Sequence, residues 1–278
     1  NPGDLLLLPD PGYPDYLSGV SLGRVAYETF PLTAENDFLP DLDAIPEETA
    51  RRAKFIYINY PNNPTGAVAT KAFYEKLVAW AKTYEVGVVS DLAYGALGYQ
   101  GYENPSFLST PGAKDVGIEF YTFSKTFNMA GWRLAFAAGN DQMIEALNLI
   151  QDHLFVGIFP ALQEAGIAAL LDPKSEEAVA QLNATYDSRR DAFVQAAAKI
   201  GWQAFPSRGS FYAWMPVPEG YTSESFADLL LEKVHVAVAP GKGFGPAGDA
   251  YVRIGLLVEP ERLVEAVDRI ANLHLFNN

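Results

Sequence analysis

Six short apolar runs in the first half of the chain constrain its fold more than any other feature. They occupy residues 4–9, 24–30, 54–60, 86–91, 117–123 and 133–139. Their hydrophobicity is continuous rather than alternating, which is typical of strands that are buried on both faces of a sheet. A helical pattern over residues 70–85, with Thr70 as its expected N-cap, separates two of these runs. We therefore predict an α/β fold with a mixed, mostly parallel sheet and helices on both faces.

The second half of the chain has a different pattern, which predicts a smaller C-terminal α+β domain. Helices are predicted at residues 140–154, 160–172, 174–200, 222–233 and 260–272. Strands are predicted at residues 202–205, 210–217, 235–240 and 250–257. The segment "LLDPKSEE" combines a proline stop with a new helix start, which indicates a domain boundary. We predict a large domain over residues 1–173 and a small domain over 174–278 that begins with an interdomain helix.

Composition excludes several classes of function. The net charge is −14, and a chain this acidic is not expected to bind nucleic acid, because phosphate contacts need a basic face. It has no cysteine, which excludes disulfides, thiolate catalysis and cysteine-based metal sites. The three histidines are scattered, so no metal site is predicted. The absence of cysteine fits a cytoplasmic protein, which is the location we expect. No apolar run is long enough to cross a bilayer, so no membrane partner is expected.

Polar residues cluster where three of the predicted strands end. The carboxyl ends of parallel strands meet at one edge of a sheet, where ligands bind, so these clusters are expected to share one crevice. Each has an ordinary alternative: turn formation for Asn63, helix capping for Asp91 and a solvated strand end for Lys125. Taken together, they predict a functional site formed by Asn63, Asp91, Tyr94, Thr122, Ser124 and Lys125.

The residue types in this predicted site fit one kind of chemistry. A lysine amine forms Schiff bases once desolvation or nearby cations lower its pKa. A carboxylate can keep a pyridine nitrogen protonated, and an amide and a phenol can hold a ring oxygen. Hydroxyls together with the guanidinium of Arg133 can bind a phosphate. The combination therefore predicts pyridoxal 5'-phosphate as the cofactor.

Four motifs carry a resemblance to a known family. In this order and with this spacing they resemble the class I/II aminotransferases, the aspartate aminotransferase superfamily of pyridoxal-phosphate-dependent fold type I. The resemblance extends from "NPGDLLLLPDPGYPDY" over essentially the whole chain and is strongest to the bacterial branch of aspartate and diaminopimelate aminotransferases. It implies ping-pong transfer of an amino group between an L-amino acid and a 2-oxo acid. The motifs are "NYPNNPTG" (59–66), "SDLAYG" (90–95), "YTFSKTFNMAGWR" (121–133) and "YVRIGL" (251–256).

The resemblance also implies the roles of residues at the cofactor ring. Lys125 would form the Schiff base and carry the proton between the substrate and the cofactor. Asp91 would pair with the pyridine nitrogen, while Asn63 and Tyr94 would hydrogen-bond the phenolic oxygen. Tyr13 in "DPGYPDY" would stack on the ring face. Lys125, Asp91 and Tyr94 are therefore the expected catalytic residues of the large, cofactor-binding domain.

The remaining implied roles concern two anions and the assembly. Thr122, Ser124 and Arg133 would hold the cofactor phosphate, and Arg253 with Asn63 would bind the substrate at its α-carboxylate. The family places its sites at a homodimer interface, so the resemblance implies a homodimer. Members of the family also carry, before "NPGD", a phosphate-binding glycine loop and an aromatic residue that reaches the neighbouring subunit. We expect this N-terminal segment to be missing from the sequence.

The substrate is less well defined than the reaction. Arginine is absent between Arg133 and Arg189, so the arginine that reads dicarboxylate side chains in some branches is lacking. This weakens an assignment to aspartate or glutamate, and neither the donor nor the acceptor is specified. A C–S lyase of the same fold and a non-catalytic aminotransferase-like module or fragment are the alternatives. The enzyme is favoured by the presence together of Lys125, Asp91, Asn63, Tyr94 and Arg253.

One further segment matches a dinucleotide-binding motif in its glycine spacing but lacks the helix that the motif requires. "GFGPAG" at residues 243–248 formally satisfies the dinucleotide-binding pattern GxGxxG. That pattern requires a helix directly after it, whereas Pro246 and then a predicted strand follow here. We therefore predict that this loop does not bind a dinucleotide.

Overall fold

The computed structural model describes residues 1–276, which form two sheets surrounded by helices. The strands are β1 (Leu5–Asp10), β2 (Ala26–Pro31), β3 (Ala53–Asn59), β4 (Gly87–Asp91), β5 (Gly117–Thr122), β6 (Ala135–Gly139), β7 (Tyr212–Pro216), β8 (Ala239–Pro240) and β9 (Tyr251–Gly255). The helices are α1 (Asp15–Gly23), α2 (Glu47–Arg52), α3 (Lys71–Tyr84), α4 (Ala113–Val116), α5 (Phe123–Thr126), α6 (Asp141–Leu154), α7 (Pro160–Leu171), α8 (Lys174–Lys199), α9 (Ser223–Val234) and α10 (Pro260–Ala271).

The larger sheet has the order β2-β1-β3-β4-β5-β6. Neighbouring strands from β2 to β5 are parallel, and only β6 pairs with its neighbour in the antiparallel direction. All six strands predicted in the first half of the chain are present. Helix α3 also begins as predicted, because the Thr70 side chain accepts a hydrogen bond from the backbone N–H of Phe73 at 3.1 Å. The predicted α/β fold class is confirmed.

Strand β1 shows why the apolar runs are continuous. Successive side chains of a strand point to opposite faces of its sheet. Leu5 and Leu7 belong to the main core cluster, which includes the buried face of α3. Leu6 and Leu8 pack on the other side with Val20 of α1. Each buried leucine contributes about 1.5–3 kcal/mol of hydrophobic stabilisation, so both faces favour apolar residues.

The smaller sheet has the order β7-β9-β8, and its strands are antiparallel. In this region one strand prediction is wrong and another is confirmed only at its end. Residues 202–205 form no strand, because Trp202 instead buries its ring in the core while its indole N–H donates to the Pro216 carbonyl at 2.7 Å. Within residues 235–240 only Ala239–Pro240 pair as a strand, since His235 adopts a left-handed conformation that ends α9. Outside Ala239–Pro240, apolar residues of both segments pack against the core without forming a strand ladder.

Helix α8 begins at Lys174, immediately after the predicted boundary, and the division of the chain into domains at residue 173 stays a prediction. No helix within residues 1–276 has the length and apolar character needed to cross a membrane.

The strand ends bear most directly on function. Asn59 ends β3 opposite Asp91, which ends β4, and Thr122 ends the neighbouring strand β5. The polar clusters therefore do lie at one edge of the sheet.

Candidate active site

A cavity of about 400 Å³ lies at this carboxyl edge of the larger sheet. It brings together all nine of the site residues predicted from the sequence, namely Tyr13, Asn63, Asp91, Tyr94, Thr122, Ser124, Lys125, Arg133 and Arg253. Four residues outside the predicted set also line the cavity, namely Asn59, Ala93, Ala130 and Tyr212. Residues from both sheets therefore meet around one space.

The amine of Lys125 lies in this cavity on the one-turn helix α5, directly after β5. The side chain is half-buried, and its Nζ lies 5.7 Å from the centre of the Phe211 ring. Burial, together with the positive charges of Arg133 and Arg253, lowers the pKa of Lys125, and the opposing effect of Asp91 is smaller. The amine therefore loses its proton at a lower pH than an exposed lysine does, which makes it a better nucleophile and base.

The carboxyl group of Asp91 is held by two hydrogen-bond donors. Tyr16 donates from its hydroxyl to Oδ2 at 2.7 Å, and the backbone N–H of Ala93 donates to Oδ1 at 3.1 Å. Burial raises the pKa of Asp91, whereas these two hydrogen bonds and the charge of Lys125 act in the opposite direction. Tyr16 lies outside the predicted set because only tertiary structure brings α1 against the end of β4.

Asn59 also lies outside the predicted set, although it belongs to the quoted motif "NYPNNPTG". It is 3% exposed, and its Nδ2 donates to the carbonyl of Asp91 at 2.8 Å. Its Oδ1 accepts from the backbone N–H of Asn63 at 2.9 Å. One buried amide in the cavity wall therefore connects the ends of β3 and β4.

Thr122, Ser124 and Arg133 form the polar end of the cavity next to Lys125. The Thr122 hydroxyl donates to the Ser124 hydroxyl at 2.9 Å, and the backbone N–H of Ser124 donates to Thr122 Oγ1 at 3.2 Å. Arg133 Nη1 donates to the Ala130 carbonyl at 2.9 Å, and within residues 1–276 its other guanidinium nitrogens have no hydrogen-bond partner. These groups offer donors that suit an oxyanion such as a phosphate.

Arg253 of β9 marks a second place for an anion. Its Nη1 donates to Asn63 Oδ1 at 2.7 Å, and its guanidinium carbon lies 4.1 Å from the centre of the Tyr212 ring. Among the described residues, no carboxylate forms an ion pair with Arg253, and its buried Nε has no hydrogen-bond partner. A part-buried guanidinium without an acid is a suitable binding group for a carboxylate.

Two tyrosines complete the cavity. Tyr94 is 4% exposed, and burial raises its pKa, so its phenol keeps its proton at neutral pH. Tyr13 is partly exposed at the edge of the cavity, and its hydroxyl donates to Asp15 at 2.7 Å. This hydrogen bond, followed by burial, raises the pKa of Tyr13 to about 12. Both rings therefore act as hydrogen-bond donors rather than as charged groups.

A larger cavity of about 650 Å³ lies elsewhere, along α8. Its lining includes the partly buried Arg190, which already pairs with Asp187 and Asp191, and the exposed Arg208. Within residues 1–276, no group of histidine, aspartate and glutamate side chains could hold a metal ion. The smaller cavity, with its unneutralised cations, is therefore the better candidate for an active site.

Comparison with known proteins identifies the family. Residues 1–270 match the family described as Aminotransferase class I and II. The chain therefore belongs to the class I and II aminotransferases. The resemblance, the fold type and the transaminase activity predicted from the sequence are confirmed.

Three known proteins show how similar this chain is to other members. It is 57% identical over 276 residues to the L-glutamine–4-(methylsulfanyl)-2-oxobutanoate aminotransferase of Bacillus subtilis (strain 168), covering 99% of this chain and 69% of that protein. It is 49% identical over 270 residues to the LL-diaminopimelate aminotransferase of Moorella thermoacetica, covering 97% of this chain and 69% of that protein. The structure of substrate-bound BacF from Bacillus subtilis matches with a TM-score of 0.94 at 46% identity, covering 99% of this chain and 70% of that one.

Proposed function

We propose that this chain is a pyridoxal-phosphate-dependent aminotransferase and that the cavity of about 400 Å³ is its active site. The observation that carries the proposal is the combination of three groups around one space. These are the amine of Lys125, whose pKa is lowered, the carboxyl group of Asp91 and the guanidinium of Arg253, which has no acidic partner among the described residues.

The groups that line the cavity fit the cofactor. Asp91 would pair with its ring nitrogen, because a carboxyl group held in place by Tyr16 is a suitable partner for a cation. Thr122, Ser124 and Arg133 would hold its phosphate, since Arg133 keeps unbonded nitrogens within the described part of the chain. When bound, pyridoxal phosphate supplies an aldehyde that takes up amino groups and a ring that withdraws electrons.

The protein's own side chains would then bind the substrate and move its proton. Arg253 and Asn63 would bind the α-carboxylate and thereby orient the Cα–H bond toward Lys125. The uncharged amine of Lys125 would take the proton from Cα and later return a proton, as a general base and acid. The protonated phenol of Tyr94 would donate a hydrogen bond, since its raised pKa keeps the proton in place.

For the substrates we propose L-glutamine as the donor and 4-(methylsulfanyl)-2-oxobutanoate as the acceptor. The similarity to the Bacillus subtilis enzyme of that name supports this pair. The cavity supports it too, because its three cations are Lys125, Arg133 and Arg253, and each has a role above. Among the described residues that line it, no further cation remains for a charged side chain. Donors and acceptors with neutral side chains therefore fit best.

The proposed substrates are tested by supplying the purified protein with pyridoxal phosphate, L-glutamine and 4-(methylsulfanyl)-2-oxobutanoate. We expect L-methionine to form, with a kcat/KM at least about 10-fold above that for L-glutamate or LL-diaminopimelate as the donor, since one unpaired charge in a site costs more than this. Chromatography with mass detection measures the product. Preference for LL-diaminopimelate would contradict the proposed pair. Pyruvate and ammonia formed from a thioether amino acid without any acceptor would instead indicate the lyase.

Tyr16→Phe removes one hydrogen bond to Asp91 and is expected to change the pH dependence of kcat/KM. Because that bond lowers the pKa of Asp91, its loss raises the pKa, and Asp91 becomes protonated at a higher pH. We expect the acid limb of the kcat/KM profile to move to higher pH and kcat/KM at neutral pH to fall about 10-fold. Tyr57→Phe is the control, since that ring packs on Tyr16 at 5.5 Å and its hydroxyl makes no bond to Asp91. If the acid limb of the kcat/KM profile lies at the same pH in the native protein, Tyr16→Phe and Tyr57→Phe, the proposed role of Tyr16 is contradicted.

We also propose the homodimer that is typical of the family. The chain between α6 and α7, with the ends of both helices, exposes an apolar surface that includes Leu154, Phe155, Val156 and Phe159, of which Val156 is 84% exposed. Exposed apolar patches of this kind often mark protein–protein contacts. The location in the cytoplasm stays a prediction.

A further inference from the structure

The loop "GFGPAG" has a structural role that its resemblance to a dinucleotide motif does not suggest. It precedes β9 and lies against the end of β1 in the larger sheet. The backbone N–H of Gly12 donates to the carbonyl of Phe244 at 2.7 Å, and the backbone N–H of Ala247 donates to Asp10 Oδ1 at 3.0 Å. Gly245 has a φ of +131°, and a Cβ there would lie 2.2 Å from Asp10 Oδ1. The loop is therefore fixed directly beside the candidate active site.

Within this fixed loop, the ring of Phe244 lies against the guanidinium of Arg253. The guanidinium carbon is 4.6 Å from the centre of the Phe244 ring and 4.1 Å from that of Tyr212. Trp214 packs edge-to-face on Phe244, with ring centres 6.1 Å apart, and so restricts its movement. Because Arg253 forms no ion pair within residues 1–276, the two rings and Asn63 are the groups that hold its guanidinium.

We propose that Phe244 is a positioning residue for the substrate carboxylate. It keeps the guanidinium of Arg253 in one orientation, with the nitrogens not bonded to Asn63 turned toward the cavity. A weakly hydrated guanidinium favours stacking on an aromatic face, and a pre-oriented arginine loses less conformational entropy when it binds its ligand. Phe244 itself does not line the cavity, so its effect passes through Arg253. This inference rests on the proposed function.

The loop also connects the two parts of the site. Arg253 lies on the smaller sheet, whereas Asp10 and Gly12 precede Tyr13 at the end of β1 in the larger one. The hydrogen bond from Gly12 fixes the backbone of Phe244, and the ring of Phe244 fixes Arg253. These contacts thereby fix the position of the Arg253 guanidinium relative to the cavity wall that contains Tyr13.

The test compares Phe244→Leu, which removes the aromatic face, with Phe244→Tyr, which keeps it. Isothermal titration calorimetry measures the Kd of 4-(methylsulfanyl)-2-oxobutanoate, and steady-state kinetics measure KM and kcat for it and for L-glutamine. For Phe244→Leu we expect the Kd and both KM values to rise about 10-fold, with kcat changed less than about 3-fold. Phe244→Tyr is expected to stay within about 2-fold of the native protein.

Two further variants separate positioning from general packing. Phe205→Leu removes another partly buried ring from the same core cluster without touching Arg253, and we expect the Kd to stay within about 2-fold. In the background of Arg253→Leu, the additional change Phe244→Leu is expected to alter the Kd less than about 2-fold, because its effect passes through that arginine. A 10-fold effect in that background would overturn the inference.

The outcomes also distinguish this inference from the proposed function. An unchanged Kd and KM in Phe244→Leu, with a native protein that makes L-methionine, would overturn the inference and leave the function standing. A Kd that depends on both Phe244 and Arg253, in a protein that makes no L-methionine, would support the inference and contradict the proposed substrates. A native protein that does not bind the 2-oxo acid would contradict both.

Discussion

Replacement of Lys125 by alanine is expected to reduce kcat at least about 10⁴-fold, because it removes both the nucleophile and the proton carrier. The half-buried amine, with its pKa lowered by burial and by two nearby arginines, is the group in the cavity most suited to either task. Steady-state assays with L-glutamine and 4-(methylsulfanyl)-2-oxobutanoate measure the loss. A thermal melt of each variant checks that the fold is retained.

Two controls separate chemistry from charge and from nonspecific effects. Lys125→Arg keeps a cation near Phe211. Because arginine cannot act as a base at neutral pH, we expect kcat to fall nearly as much as in Lys125→Ala. Lys76→Ala removes an exposed lysine that pairs with Asp43, and we expect kcat to stay within about 2-fold because such surface pairs contribute little. Retention of a tenth of the activity in Lys125→Ala would show that another residue performs the chemistry.

The second large effect is expected for Asp91→Asn, which keeps the shape of the side chain and removes its charge. We expect kcat/KM to fall about 10³-fold, because a neutral amide cannot stabilise a cationic ring nitrogen in a buried site. The protein is also expected to bind pyridoxal phosphate more weakly. Fluorescence titration with the cofactor and steady-state kinetics measure the two losses separately. Activity within 10-fold of the native value would contradict the proposed role of Asp91.

The same variant has a distinct expected effect on stability. Burial raises the pKa of Asp91, so the folded protein ionises this group less readily than the unfolded chain does. The resulting cost to folding is absent below the unfolded pKa and fully present above the raised folded pKa. Without cofactor at neutral pH, we therefore expect Asp91→Asn to melt at the same temperature as the native protein or higher. A much lower Tm would indicate that its activity loss reflects unfolding.

Much of the fold and site follows from short stretches of sequence. The continuous apolar run of β1 predicts a strand buried on both faces, and the two leucine pairs confirm this. Polar residues that end parallel strands are close in space by geometry, which explains why Asp91 and Lys125 could be placed together before the structure was known. Their individual roles rest on the family resemblance and stay a proposal.

Other features could not be predicted because they depend on contacts between distant segments. Tyr16 reaches Asp91 across 75 positions, and Phe244 reaches Arg253 only because the glycine-rich loop packs on the end of β1. The apolar residues 202–205 resemble a strand, yet Trp202 packs its ring into the core from an irregular segment. Local hydrophobicity patterns predict which residues are buried, but they do not predict which distant residue a side chain contacts.

The most direct test of the proposed active site locates the lysine to which the cofactor attaches. The protein is mixed with pyridoxal phosphate and reduced with borohydride, and its peptides are analysed by mass spectrometry, with and without L-glutamine added before the reduction. We expect a phosphopyridoxyl group on Lys125 alone, and we expect it to be largely absent when L-glutamine is added first. A label spread over exposed lysines, or one on Lys125 that no amino acid removes, would contradict the assignment of this cavity as an aminotransferase active site.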